Sequence, residues 1–472
     1  MTNNWTHHNF RRSQSVELTG IYGSLDRIQR MKPQSNSIAG GLLVMISSGA
    51  HIGWGLFNSD LSSMPWAKSE NSTVISFAIV SWFIGAIVGF CAAPLFCETF
   101  IKKTIYLISN IMVAIGAILL ITLPDNRYAV IFGRFFSGIG HGLAYTAVLQ
   151  HLADNSINHR RGLHGATIYL FMFSGIIIGN VSLPSMDTTR FVGVVSASIT
   201  LFSLLLTLVL YKESIVTLIE KGHDEEAINV MVRLRSESND TREIRNDFVE
   251  MKAMVMEDAI KNTKIFKEGN LTPLIQIVLL RIAFVMSFNL PLNTIRLSMI
   301  HNLSSAENSS YRLLIAAVYT IVGLVVLFTI DNGRRPHFLT SAGGASLLLI
   351  IQGVLFAFVD DIYNSISLAL LIIYQIFCGI GLGLTSDVYS SEAFRSIKRP
   401  ASIAFTSILE NVLQIMFVIL NEHLKRTTIS DIIVLLVCGS VIGLITTYFY
   451  FTLPETNNMS IRQTRDKFLK IN

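Results

Sequence analysis

Asp331-Asn332-Gly333-Arg334-Arg335 closes one long apolar run and opens the next, and Glu98-Thr99-Phe100-Ile101-Lys102-Lys103 does the same 233 residues earlier. The pattern extends outward from these two stretches. Asp154 lies seven residues before Arg161-Gly162, and Glu392 lies seven before Arg399-Pro400, an offset of 238. Glu213 and Glu455 close the last apolar run of each half, 242 residues apart. Offsets that drift so little read as one unit used twice, each copy carrying acids beside basic clusters at the ends of apolar runs.

Composition sets the solvent. The 472 residues are 51% hydrophobic and only 15% charged, against about 25% charged in soluble domains. Twelve apolar stretches between residues 37 and 453 are long enough to span, since a transmembrane helix needs about 20 residues. Their lack of alternating polarity argues against a β-barrel. With both termini inside, cytoplasmic segments hold 28 of the 37 Lys and Arg, and outer loops hold five. That is the positive-inside pattern. The net charge of +5 therefore reports topology rather than nucleic-acid binding. The expected architecture is an all-α membrane protein of twelve helices in two six-helix bundles. Residues 1–36 form a polar cytoplasmic tail without a signal-peptide core, 37–211 the first bundle, 212–271 a cytoplasmic loop, 272–453 the second bundle and 454–472 a cytoplasmic tail.

The central loop repeats Ile215, Leu218, Ile219, Ala227, Val230 and Met231 at helical spacing among charges, which predicts short amphipathic helices. Sequons at Asn71, Asn302 and Asn308 fall in outer loops, with Asn71 in the roomiest. Gly133, Gly138, Gly140 and Gly142 in span four, and Gly175 and Gly179 in span five, read as close helix packing. Cys91, Cys97, Cys378 and Cys438 all lie in apolar runs, so neither a disulfide framework nor a metal site is expected. No nucleophile–base set marks an enzyme, and no cofactor motif is present.

A duplicated membrane unit with charges on one side is the pattern of a secondary transporter. The clamp candidates are Glu98, Lys102, Lys103, Asp154, Arg161, Glu213, Asp331, Arg334, Arg335, Glu392, Arg399 and Glu455. They either gate the inner mouth or merely fix topology, and positive-inside placement alone needs no acids. A charge inside the membrane marks a pathway by default. Asp387 and Glu410 are candidates on that ground, either lining the path or lying near the inner interface in water. Arg296 is expected to snorkel to the outer surface, and His51 to hydrogen-bond a neighbour.

The order of these motifs resembles the sugar porter family of the major facilitator superfamily over nearly the whole chain. The residues that carry the resemblance are Gly133-Arg134 with Arg161-Gly162, Glu213-Ser214, Asp331 to Arg335, Glu392-Ala393-Phe394 with Arg399-Pro400, and Pro454-Glu455-Thr456. Gly53-Trp54 is similar to insect trehalose transporters. The resemblance implies a sugar site between the bundles, yet the sugar-facing groups are exchanged. Tyr169 stands for a glutamine in span five. Phe284-Val285 replace paired glutamines in span seven, with Ser287 and Asn289 following. Tyr319 replaces an asparagine in span eight. In span ten Gly379 stands for a glutamate and Asp387 for a tryptophan, and in span eleven Glu410 falls at an asparagine, with Asn411 beside it.

Proton-coupled members resemble one another in carrying an acid in span one near the arginine of span four. Here span one has no Asp or Glu, Arg134 is present, and His51 is the one titratable side chain available to substitute. A cationic imidazole near Arg134 would be repelled, so facilitative uniport of a small polar solute, a sugar first, is the expectation. The rivals are a transporter of a non-sugar, charged organic solute, and a transport-dead sensor or scaffold of the same fold. A monomer in the plasma membrane is the expected setting, with lipid and a small solute as partners.

Overall fold

The computed structural model describes residues 38–56, 64, 66–67, 72–156, 160–181, 187–234, 240–260, 271–300, 305–358, 364–424 and 427–469. Every regular element among them is helical. The first half holds α1 (Ile38–Leu56), α2 (Ser72–Thr99), α3 (Lys102–Thr122), α4 (Arg127–Asn155), α5 (Arg161–Gly179) and α6 (Thr188–Leu210). Three shorter helices follow: α7 (Ile215–Glu220), α8 (Asp224–Leu234) and α9 (Arg242–Ile260). The second half holds α10 (Leu271–Ser287), α11 (Leu290–Ser298), α12 (Ser305–Leu327), α13 (Arg334–Phe358), α14 (Asn364–Glu392), α15 (Arg399–His423) and α16 (Thr428–Thr452). The terminal α17 (Ile461–Leu469) ends the described chain. Backbone groups in lipid must be satisfied within their own segment, and helices do this.

Eleven helical segments among the described residues are long and apolar enough to cross a membrane, with α10 and α11 counted as one. The expected fourth span does not meet that measure. α4 has 29 residues but carries Arg134, His141, His151 and Asp154, all buried. Its polar groups are accommodated by protein rather than lipid, as α4 is packed between α2 and α3. The expected seventh span is broken: Asn289 accepts from the Leu292 amide at 3.0 Å and caps α11, with Pro291 in its first turn.

Packing repeats between halves. α3 lies on α4 and α6, and α13 lies on α14 and α16; across the halves α2 meets α15, and α5 meets α12 and α14. Close approach depends on missing side chains. A Cβ on Gly175 or Gly179 would strike the carbonyls of Ile46 and Ala50 on α1, which explains the small residues read in span five.

Between the halves the chain forms α7, α8 and α9. Ile215, Leu218, Ile219, Ala227, Val230 and Met231 share a core with Ile244 and Phe248. It is also anchored: Asp258 of α9 is buried, accepts from the Ser396 amide at 3.1 Å and pairs with Arg465 of α17 at 2.6 Å. Asn71 and Asn302 lie outside the described residues, as does the 1–36 tail, while Asn308 falls in the opening turns of α12.

Candidate functional site

The charged motifs meet at one end of the helices, here called the basic end. Asp154 closes α4 and Arg399 opens α15, and they pair at 2.7 Å. Reciprocally, Glu392 closes α14 and Arg161 opens α5, and they pair at 3.4 Å. The acid of each half therefore takes the arginine of the other. A third link joins the halves where Asp331 Oδ2 accepts from the Leu163 amide at 3.2 Å. Gly162 makes this possible, because a Cβ there would collide with the Asp331 carboxylate. Burial raises the Asp331 carboxyl from its usual range, opposed by Arg334 and by the Leu163 and Gly162 amides.

The remaining clamp candidates work within one half. Lys102 pairs with Asp154 at 3.5 Å and also contacts the Thr217 hydroxyl. Ser214 Oγ donates to Asp154 at 2.6 Å. Glu213 accepts from the amides of Lys102 at 3.3 Å and Ser214 at 3.0 Å. Arg334 binds Glu392 and lies 3.9 Å from Asp331. Glu455 accepts from the Arg334 and Arg335 amides at 3.2 and 3.1 Å, capping α13, and the Arg335 guanidinium donates to the Tyr450 carbonyl. Glu98 is exposed at the end of α2, and Lys103 is half-buried beyond it.

About five residues up α14 from Glu392, roughly 7.5 Å along the helix axis, lies a second cluster that the motifs did not announce. Arg281 of α10 is buried and pairs with Asp387 at 2.9 Å and with Glu410 at 3.1 Å. It also donates to Tyr145 of α4 at 2.7 Å, to Ser390 at 3.2 Å and to Tyr169 of α5 at 3.4 Å. Tyr145 in turn donates to Asp387. One guanidinium thus gathers two carboxylates of its own half and two phenols of the other. Asp387 and Glu410 are not solvated near an interface: both are held by Arg281. Sequence reading passed over Arg281 and His141. The available signal for Arg281 was a lone arginine inside the apolar run 273–299.

This cluster forms part of the wall of a central cavity of about 40 Å³, lined by Tyr145, Tyr169, Glu410, Asn411 and His141 among others. That holds a few waters, far below the 300–1,000 Å³ typical of a ligand pocket. Both ends are bridged between halves. At the end opposite the basic one, Glu422 of α15 accepts from Thr73 at 2.6 Å and Ser72 at 3.2 Å, at the start of α2. Hydrogen bonds or ion pairs therefore join the halves near both ends of the described helices.

Of the expected contact residues, Tyr169, Glu410 and Asn411 line the cavity, and Asp387 supports it from behind. Three others lie outside that lining. Ser287 Oγ donates to the Phe284 carbonyl at 2.7 Å, and Asn289 is spent on capping α11. Tyr319 is stacked on Phe173 with ring centroids 3.6 Å apart. Arg296 does not snorkel: it is buried, lies 3.7 Å above the Tyr374 ring and donates to Gln352 at 3.3 Å and the Leu371 carbonyl at 3.1 Å. The carbonyl it reaches and the aromatic face offer a buried guanidinium more than its distance from water allows.

Arg134 is buried likewise. It donates to the carbonyls of His51 and Ala78, both at 2.8 Å, and of Ile79 at 3.3 Å, and it lies 4.3 Å above the Trp54 ring. The His51 ring points elsewhere, with Nε2 at 3.5 Å from Ser196 Oγ.

The sequence model of the sugar (and other) transporter family matches residues 35–468. The chain belongs to that family. Among its relatives, hexose transporter 1 of Plasmodium falciparum is 22% identical, with 83% of this chain and 82% of the relative covered. Polyol transporter 5 of Arabidopsis thaliana is 24% identical, covering 84% and 79%. Facilitated glucose transporter member 1 of Gallus gallus is 21% identical, covering 86% and 84%. In fold, this family member matches the proton:xylose symporter XylE bound to 6-bromo-6-deoxy-D-glucose with a TM-score of 0.76 at 16% identity, covering 92% and 100%. The inward-open conformation of XylE from E. coli scores 0.65 at 15% identity, covering 93% and 99%. This member of the transporter family is a multi-pass membrane protein with the major facilitator fold, and not an enzyme.

Proposed function

We propose that the protein carries a sugar across the plasma membrane by alternating access, as a facilitative uniporter acting as a monomer. In this reading twelve spans form two six-helix bundles, 37–211 and 272–453, with both termini and the basic end in the cytosol. The observation that carries it is the reciprocal pair Asp154–Arg399 and Glu392–Arg161. These contacts join the halves at one end only and must break for that end to open. Exposed ion pairs contribute about 0–1 kcal/mol each, but these are buried, where losing one partner costs about 3–5 kcal/mol. They are strong enough to define a closed state and few enough to be replaced by water when the halves rock apart.

Uniport is supported by the surroundings of Arg134. Its hydrogen bonds among the described residues go to backbone carbonyls, so no carboxylate is held there to carry a proton. The names of the relatives point to hexoses and polyols as the class to test first. The experiment is uptake of radiolabelled sugars into proteoliposomes containing the full chain. Saturable, counterflow-accelerated uptake that equilibrates without accumulation under an imposed pH gradient is expected. Concentrative uptake that collapses with a protonophore refutes uniport, and uptake of no sugar refutes the sugar reading.

A further inference from the structure

The central cavity has two unlike walls. One is aromatic: Trp82, Phe90, Tyr145, Tyr169, Phe284 and Phe288 come from helices of both halves. The other is a polar stripe on α15, where Ser407, Glu410, Asn411 and Gln414 recur at i, i+3, i+4 and i+7 and so share one face. On that stripe the amide donors are already used. Asn411 Nδ2 donates to the Ser407 carbonyl at 2.7 Å, and Gln414 Nε2 to the Phe288 carbonyl at 2.7 Å. Left over are buried oxygens without a hydrogen-bond partner, Gln414 Oε1 and Ser407 Oγ. Buried acceptors of this kind are costly unless something supplies donors to them.

Charge sharpens the requirement. Glu410 is the one charged residue among the described residues lining the cavity, and its partner Arg281 is shared with Asp387. One guanidinium serves two carboxylates, and Asp387 Oδ2 is left buried without a hydrogen-bond partner. His141 also lines the cavity, with Nδ1 at 2.9 Å from Ser48 Oγ and its ring against Trp82. A carboxylate and aromatic rings lining one cavity are groups that favour an organic ammonium, since ring faces attract a cation and the carboxylate accepts its hydrogen bonds. An ammonium brings three donors, which the Glu410 carboxylate and the free Gln414 Oε1 can accept, while a sugar hydroxyl can both give to and accept from Ser407 Oγ. A neutral sugar would satisfy the oxygens, whereas an ammonium would also give Glu410 a partner of its own beside the Arg281 it shares with Asp387.

We infer that the preferred cargo is a cationic sugar, a protonated amino-hexose whose ammonium sits at Glu410 against the aromatic wall and whose hydroxyls reach Ser407 and Gln414. This rests on the sugar reading above and narrows its substrate class. Uptake of such a cargo by uniport moves one charge per molecule.

The test uses the full chain in proteoliposomes and in voltage-clamped oocytes, with D-glucosamine below its amine pKa, N-acetyl-D-glucosamine and D-glucose as probes. The expected result is at least tenfold higher kcat/KM for glucosamine than for either neutral sugar, with an inward current of one charge per glucosamine and none for glucose. Glu410→Gln should lower the glucosamine-to-glucose uptake ratio at least tenfold, while Glu410→Asp restores most of it. The wild-type preference is read without any variant, so misfolding of a mutant leaves the inference open to refutation. Transport of glucose with no preference for the amine, or an unchanged ratio in Glu410→Gln, overturns the cationic inference and leaves the sugar reading standing. Uptake of none of the three overturns both.

Discussion

Replacing Arg399 with Gln removes one cross-half contact and little else. Arg399 meets Asp154 at 2.7 Å, and Asp154 keeps Lys102 at 3.5 Å and the Ser214 hydroxyl at 2.6 Å within its own half. The carboxylate is therefore not stranded, and the full cost of about 3–5 kcal/mol for breaking a buried pair does not apply. A charge-assisted hydrogen bond contributes about 1.5–3 kcal/mol. Taking about 2 kcal/mol as the loss, the equilibrium between closed and open basic ends shifts roughly 30-fold, at about 1.4 kcal/mol per tenfold. Burial of both partners means that added salt screens this term weakly. The assay is spin-label distance measurement between Thr99, at the end of α2, and Lys398, just before α15. Wild type should give one dominant short distance, and Arg399→Gln should add a longer population and weaken binding from the opposite side in proportion to the lost closed fraction. An unchanged distance distribution together with unchanged uptake would refute gating and leave the pair as a topology marker.

Other expectations follow from the same contacts. Asn289→Ala should lower thermal stability by about 1 kcal/mol through loss of the α11 cap while leaving apparent affinity unchanged; an altered KM would return Asn289 to the solute path. Tyr169→Phe removes a phenol that accepts from Arg281 and lines the cavity, and a several-fold change in KM is expected in sugar uptake. Arg281→Met leaves Asp387 and Glu410 without their cation, so a loss of about 3–5 kcal/mol in detergent unfolding is expected; the triple replacement with Asp387→Leu and Glu410→Leu should recover most of it, and failure to do so would mean that packing rather than charge is lost.

The architecture was legible because duplication and lipid both leave periodic marks: long apolar runs, and acids returning with the same spacing to basic clusters. The charged motifs were legible for the same reason, but their partners were not. Glu455 and Glu213 share the motif with Asp154 and Glu392, yet Glu455 caps a helix and Glu213 binds backbone amides, because α4 and α14 pack on helices of the other half whereas α6 and α16 pack on α3 and α13 of their own. The lining of the central cavity was less legible. Ser287 and Asn289 have the right polarity and nearly the right position, but the break between α10 and α11 uses Asn289 for a cap. Arg281 left no motif, since a single arginine in an apolar run does not say whether it points to lipid headgroups, a carboxylate or a cavity. Arg296 shows the same ambiguity resolved the other way, by an aromatic ring and a carbonyl.

The placement of the clamp charges supports the proposed gate. Asp154 and Glu392 stand at helix C-termini, and Arg161 and Arg399 at the first position of helices. Helix dipoles favour the reverse, anions at N-termini and cations at C-termini, by about 0.3–1 kcal/mol each. Every one of these four residues is therefore disfavoured by its own helix and favoured by its partner, and for Asp154–Arg399 and Glu392–Arg161 the partner belongs to the other half. Charges that served only to orient the chain could sit at either end of a helix and would not need to be buried. Here all four are buried, so separating the halves trades favourable pairing for solvation of groups that their helices do not stabilise. That exchange favours the closed basic end as long as both pairs are made, in keeping with the one dominant short distance expected of the wild type.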